Sequence, residues 1–184
     1  MNFREFLKNS IVCLDGGMGT LLQAKGLMPG EHPEKWNVSH PDVITGIHRA
    51  YFDAGSNVVA TNTFGANSLK FSLEELEKII PAAVENALEA KRTSESSGEK
   101  FVALDIGPTG RLIKPLGDLD FEAAVEAFAA TVRIGAACGV DLVIVETMND
   151  CLETKAALLA VKENCDLPVI VTNAYGADGK LMTG

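Results

Sequence analysis

Five short apolar runs, mostly β-branched, recur along this chain: "IVCLD" (11–15), "NVVATN" (57–62), "FVALD" (101–105), "DLVIVE" (141–146) and "LPVIVTN" (167–173). They are too short for core helices and are continuous rather than alternating, the pattern of strands covered on both faces. Stretches of helical pattern separate them. "HPDVITGIHRAYFDAG" has Pro41 near a helix start and Gly55 after its end, the usual punctuation of a helix. "SLEELEKIIPAAVENALEAKRTSESSG" opens on Ser72 and Glu75, a capping box, and contains Pro81, which predicts a kink or split. Asp120 is the expected cap of the next helix, and Asn149 or Asp150 that of the last. Strand–helix alternation of this kind predicts βαβ units and a parallel sheet. "AGSNVVATNT" and "CGVDLVIVET" echo one another, which suggests a repeated βα unit, as in a barrel.

Hydrophobic residues make up 47% of the 184, enough for one packed domain over 1–184. Sixteen basic against 25 acidic side chains leave a net charge of −9, which disfavours nucleic acid and anionic membrane as partners. No run approaches membrane-spanning length, and "MNFREFLKNS" lacks the apolar stretch of a signal peptide. Cys13, Cys138, Cys151 and Cys165 show no CxxC pairing and lie in or beside apolar segments. The expectation is reduced core thiols and a cytoplasmic location.

The five runs end in Asp15, Thr61–Asn62, Asp105, Glu146 and Thr172–Asn173. In parallel α/β folds these carboxyl ends face one side, where ligands bind. Caps and loop amides account equally well for Thr61, Thr172 and Asn173. Asp15 and Glu146 are different: an acid ending a strongly apolar strand is costly unless it meets a cation or several donors. "DGGMGT" (15–20) admits three readings. A phosphate loop is the weakest, since the chain has no GxxxxGK[ST] and Asp15 would repel phosphate. A Mg²⁺ site would draw on Asp15, Asp105 and Glu146 as oxygen donors. An amino-acid site would set the acids on an ammonium and let a carboxylate approach the Gly16–Gly17 amides. His32 and His40 lie in a Pro-containing loop and His48 on an amphipathic helix, where a surface or core role outweighs a catalytic one. No Ser–His–Asp grouping, HExxH or strand-end lysine is present.

"LDGGMGTLL", "HPDVITGIHRAYFDAGSNVVATNTFGAN", "DIGPTGRLIKPLGDLDFEAAVEAF" and "DLVIVETMNDCLETKAAL" together resemble the homocysteine S-methyltransferase family along the whole chain, in order. The likeness is greatest to the homocysteine-binding module of its cobalamin-dependent members. The resemblance implies a TIM barrel, here a partial one with about five of eight parallel strands. It implies homocysteine at the carboxyl-end face, with Asp15 and Glu146 on the substrate amino group and Gly16 and Gly17 near its carboxylate. Asn62, Asp105 and Thr147 fall at the pocket rim. It further implies a zinc-bound homocysteine thiolate that attacks a methyl donor to give methionine. Cobalamin and methyltetrahydrofolate would enter through other modules of the same or another chain. The family zinc is held by three cysteines in "NC" and "GGCC" segments of later strands; no "GGCC" occurs here and Cys13, Cys138, Cys151 and Cys165 do not sit at those positions, so those ligands are expected beyond Gly184. The chain therefore reads as the front of a barrel that ends after its fifth strand, carrying the recognition half of the site without the metal ligands. Such a piece is expected to be inactive alone and to self-associate through uncovered edges. A non-catalytic amino-acid-binding or oligomerising module and a Mg²⁺-dependent barrel enzyme are the alternatives.

Overall fold

The computed structural model describes residues 1–184. Helices α1 (Phe3–Asn9) and α2 (Met18–Ala24), a 3-10 turn (Pro33–Lys35), α3 (Trp36–Ser39) and α4 (Pro41–Asp53) come first. Then strands β1 (Val58–Ala60), β2 (Phe101–Ile106), β3 (Leu142–Met148) and β4 (Val169–Asn173) alternate with α5 (Leu73–Thr93), α6 (Phe121–Ala137) and α7 (Cys151–Asn164). The four strands form one parallel sheet in sequence order, with Val58 opposite Phe101, Ala103 opposite Leu142 and Val143 opposite Val169. This is the α/β arrangement expected of a partial barrel.

The first apolar run joins the sheet more weakly than its composition predicts. It forms a single parallel bridge, Leu14 to Val58, instead of a ladder. Asn57 N–H donates to Cys13 O at 2.8 Å and Asp15 N–H to Val58 O at 3.0 Å. The run thus holds the place of a strand beside β1, which is itself only three residues long and offers little more to pair with.

Helix boundaries follow their capping residues. Pro41 sits in the first turn of α4, and Gly55 closes it with φ +106°, a conformation that costs glycine nothing. Ser72 Oγ accepts from Glu75 N–H while Glu75 Oε2 accepts from Ser72 N–H. The expected break at Pro81 does not occur, and α5 is continuous through it. The carbonyl that Pro81 leaves free belongs to Glu77, an exposed residue on the solvent side of the helix, where the lost bond costs little. Asp150 caps α7, accepting from Leu152 N–H at 2.6 Å and Glu153 N–H at 2.9 Å. Asp120 holds the cap position of α6 but makes no cap bond; its carboxylate accepts from Lys114 Nζ at 2.7 Å.

The two-residue strand period divides the core. Val59, Val102, Leu104, Val143 and Val145 face α5, α6 and α7 and join the main core of 27 buried residues. Gly135 of α6 lies against Leu104, where a Cβ would come within 2.5 Å of its methyls. The other face carries Val58, Phe101, Ala103, Leu142 and Ile144, joined by Phe3 and Phe6 of α1. The Phe3 and Phe101 rings meet edge to face at 5.3 Å. Phe101 begins β2, so α1 covers this inner face at the amino ends of the strands and leaves the carboxyl ends open. The cysteines depart from the core reading: Cys13 and Cys151 are exposed, Cys138 and Cys165 partly so, and all four are free. Cys13 lies on the weakly paired first run and Cys151 on the first turn of α7, and both positions face out.

Candidate functional site

The period that puts Ala103 and Ile144 on the inner face also puts Asp105 and Glu146 there, two residues on, at the open end. Asp15 enters from the bridged segment beside β1, its Oδ2 accepting from Ala60 N–H at 2.9 Å. The three carboxylates line one cavity of about 450 Å³, a size typical of small-molecule sites. Gly16, Gly17 and Asn62 line it too, so six of the seven expected residues meet in one place. Thr147 is not among the lining residues. It is exposed, has φ +58°, and its N–H donates to Thr172 Oγ1 at 3.2 Å. The sheet register slips between Val145 and Met148. This bulge swings Met148 into the main core and leaves Glu146 as the last inner residue of β3. A β-branched residue at positive φ is strained, and such strain gathers at functional sites.

No lysine, arginine or histidine lines this cavity. Burial raises Asp15 from 3.8 to about 7, against a lowering by the Ala60 amide, and Glu146 adds repulsion. Asp105 is 5% exposed, and its Oδ1 has no hydrogen-bond partner. Burial, then the charges of Glu146, Asp15 and Glu34, push it well above the ordinary carboxylate range. Burial raises Glu146 as well. Three acids with raised pKa values thus share one cavity that holds no basic side chain.

Gly16 and Gly17 present backbone to the same space, and no carbonyl in any turn or loop of the chain accepts from either amide. At Gly16 a Cβ would sit 2.9 Å from Tyr51 Oη, whose hydroxyl donates to Gly17 O at 3.1 Å. Tyr51 thus keeps this loop as bare backbone.

Asn62 spends its side chain on architecture. Its Nδ2 donates to Pro33 O at 2.8 Å and Asn37 Oδ1 at 3.2 Å, while Asn37 Nδ2 donates to Asn62 O at 2.7 Å. Thr61 Oγ1 accepts from Asp105 N–H, and Thr63 Oγ1 donates to Asp105 O. "TNT" is therefore the clamp on the end of β2. Sequence reasoning missed Glu34, which is 5% exposed, lines the cavity and accepts from Gly65 N–H at 2.7 Å. A glutamate in a Pro-containing loop gives no periodic signal, and only the folding of residues 33–37 over β1 brings it in. Thr172 serves the bulge and Asn173 Oδ1 accepts from Thr154 Oγ1, so both have structural work. His40 stacks on Trp36 at 4.1 Å, His32 meets Phe71 edge-on, and His48 is buried with neither ring nitrogen bonded.

The donor sets for a metal do not fit. No three His, Cys, Asp or Glu side chains lie together in a way that could hold an ion. Asp15, Asp105 and Glu146 thus do not form a Mg²⁺ centre, and the four cysteines provide no zinc site. No helix is long and apolar enough to cross a membrane.

Comparison with known proteins shows the family and the fold. The family model described as "Homocysteine S-methyltransferase" matches residues 12–184. A methionine synthase of Mycobacterium leprae (strain TN) is 29% identical over 196 residues, covering 98% of this chain and 16% of that protein. The fold superposes on the homocysteine methyltransferase MmuM from Escherichia coli. The oxidized form gives a TM-score of 0.85 at 22% identity, covering 98% of this chain and 68% of that one. The metallated form gives 0.84 at 22% identity, covering 98% and 69%. The chain thus spans about two thirds of these structures and a small part of the methionine synthase.

Proposed function

The chain belongs to the homocysteine S-methyltransferase family, and from that premise we propose that its cavity receives the amino-acid end of homocysteine. The observation that carries the reading is the pairing of an acid-only wall with free backbone amides in one space. Asp15, Asp105 and Glu146 take the ammonium, and Gly16 and Gly17 turn their N–H groups to the carboxylate. Asn62 and Glu34 hold the loop at 33–37 over the pocket. Thr147 acts indirectly, by fixing the bulge that aims Glu146. The thiol then points away from the acids, toward a methyl donor. We take the chain to work in a methionine synthase type of reaction, with cobalamin and folate carried by other modules. Thiol activation by zinc is assigned to no residue here, because this chain's donors do not assemble.

Calorimetric titration with L-homocysteine tests the reading. Asp15→Asn and Glu146→Gln should each weaken binding by about 1.5–3 kcal/mol, the worth of a charge-assisted hydrogen bond. Unchanged affinity in both variants removes the amino-acid assignment.

A further inference from the structure

The charges around the cavity do not balance. Asp15, Asp105, Glu146 and Glu34 all line it, with no basic residue among the lining side chains. The other titratable group beside it is Tyr51, itself raised by burial and by Asp15. The acids arrive on separate elements: the bridged run, the ends of β2 and β3, and the 3-10 turn. Asp15 is held by the Ala60 amide and Glu34 by the Gly65 amide, and the backbone of the sheet fixes where Asp105 and Glu146 start. Asp105 Oδ1, buried and unpartnered, lies within this group. Carboxylates that share one cavity with no basic side chain among them resist ionising together at neutral pH unless a cation joins them.

We propose that the free site keeps a proton on the Asp15–Asp105–Glu146 group, and that an amino-acid ligand expels it, the ligand's ammonium replacing the proton as the neutralising charge. This rests on the amino-acid reading above and adds a coupling to it. One carboxylic O–H bond breaks, its proton passes to buffer, and the ammonium keeps its three hydrogens. The raised positions of Asp15, Asp105 and Glu146 agree with it. Ligand binding is then linked to pH through the protein rather than through the ligand's thiol.

The test is calorimetry on the intact chain in phosphate and in Tris, two buffers that differ widely in ionisation enthalpy. L-Homocysteine and L-methionine serve as probes, the second because it has no thiol proton to lose. With both probes the enthalpies in the two buffers should differ by about one proton released per ligand near neutral pH, and affinity should fall about tenfold per pH unit below that. Asp105→Asn, with its fold confirmed by circular dichroism, should release less than half as much. Equal enthalpies in the two buffers with binding intact would sink the proton coupling and leave the amino-acid site standing. Release with homocysteine alone would trace the proton to the thiol and overturn the proposal. No binding of either probe would remove both readings together.

Discussion

At Asp15 the needs of folding and binding oppose one another. The carboxyl is held among other acids, and its rise from 3.8 to about 7 represents at most about 4 kcal/mol of strain at neutral pH. Asp15→Asn keeps an oxygen for the Ala60 amide and removes the charge. The variant should therefore unfold at higher denaturant near pH 7 while binding homocysteine more weakly. Equal or lower stability would mean that Asp15 is not penalised. Thr147 is the second residue of this kind. Its side chain is exposed and its φ is +58°, so Thr147→Gly should stabilise by about 1 kcal/mol, read as a rise in Tm of about 2–4 °C. A fall in Tm would show that the hydroxyl or methyl has contacts worth more than the strain.

Among the elements, α7 does more than cover the sheet. Its Glu153 is 4% exposed and accepts from both Thr109 N–H and Thr109 Oγ1, so one carboxylate pins the "GPTG" turn that follows β2. Glu153→Ala leaves the buried Thr109 N–H without an acceptor and its hydroxyl with only the longer bond to Arg111 O, and should cost about 1–3 kcal/mol. Hydrogen exchange should then quicken first in residues 107–113. Glu153→Gln, which can still accept, should cost less than half as much; equal losses would argue against the hydrogen bonds as the cause. At the far end of the sheet, α1 seals the inner face with Phe3 and Phe6 against Phe101. Its capping box, Asn2 with Glu5, fixes a helix of only seven residues, too short to stand without that packing.

For the whole molecule, two buried populations set opposite pH slopes. Asp15 has a folded pKa above its unfolded value, so the stability it costs is regained as pH falls from about 7 toward 3.8. His48, fully buried without a partner, is lowered from 6.5 to about 4, so its contribution is lost as pH falls through that window. Removing the imidazole should expose the first slope. In His48→Leu, the gain in stability from pH 7 to pH 5 should exceed the parent's by about 2 kcal/mol. Identical pH profiles would show that His48 finds a proton acceptor in the native state. The sheet is open rather than closed, and β4 pairs only with β3. This edge, with Tyr175 61% exposed just beyond it, and the opposite side of the sheet, with Ile11 90% exposed in the run beside β1, should draw copies together at micromolar concentration. A sedimentation profile of pure monomer would refute that.

The sequence by itself determined what is local or periodic. Capping residues placed α4, α5 and α7, and apolar runs placed β2, β3 and β4. The ends of the apolar runs set Asp105 and Glu146 on the carboxyl side of the sheet, and the family motifs named Asp15, Gly16 and Gly17. Tertiary structure decided what depends on a partner distant in the chain. Leu14 pairs with Val58 only once, because β1 is short. Pro81 leaves α5 whole, because the carbonyl it frees belongs to an exposed residue. Asn62 turns to Pro33 and Asn37, and Glu34 reaches the cavity, because one loop folds over β1. Thr147 leaves the lining, because a bulge needs it at positive φ. Burial likewise decided charge: nothing in "FVALD" shows that its acid lacks a partner, since that follows from which residues the fold sets around it.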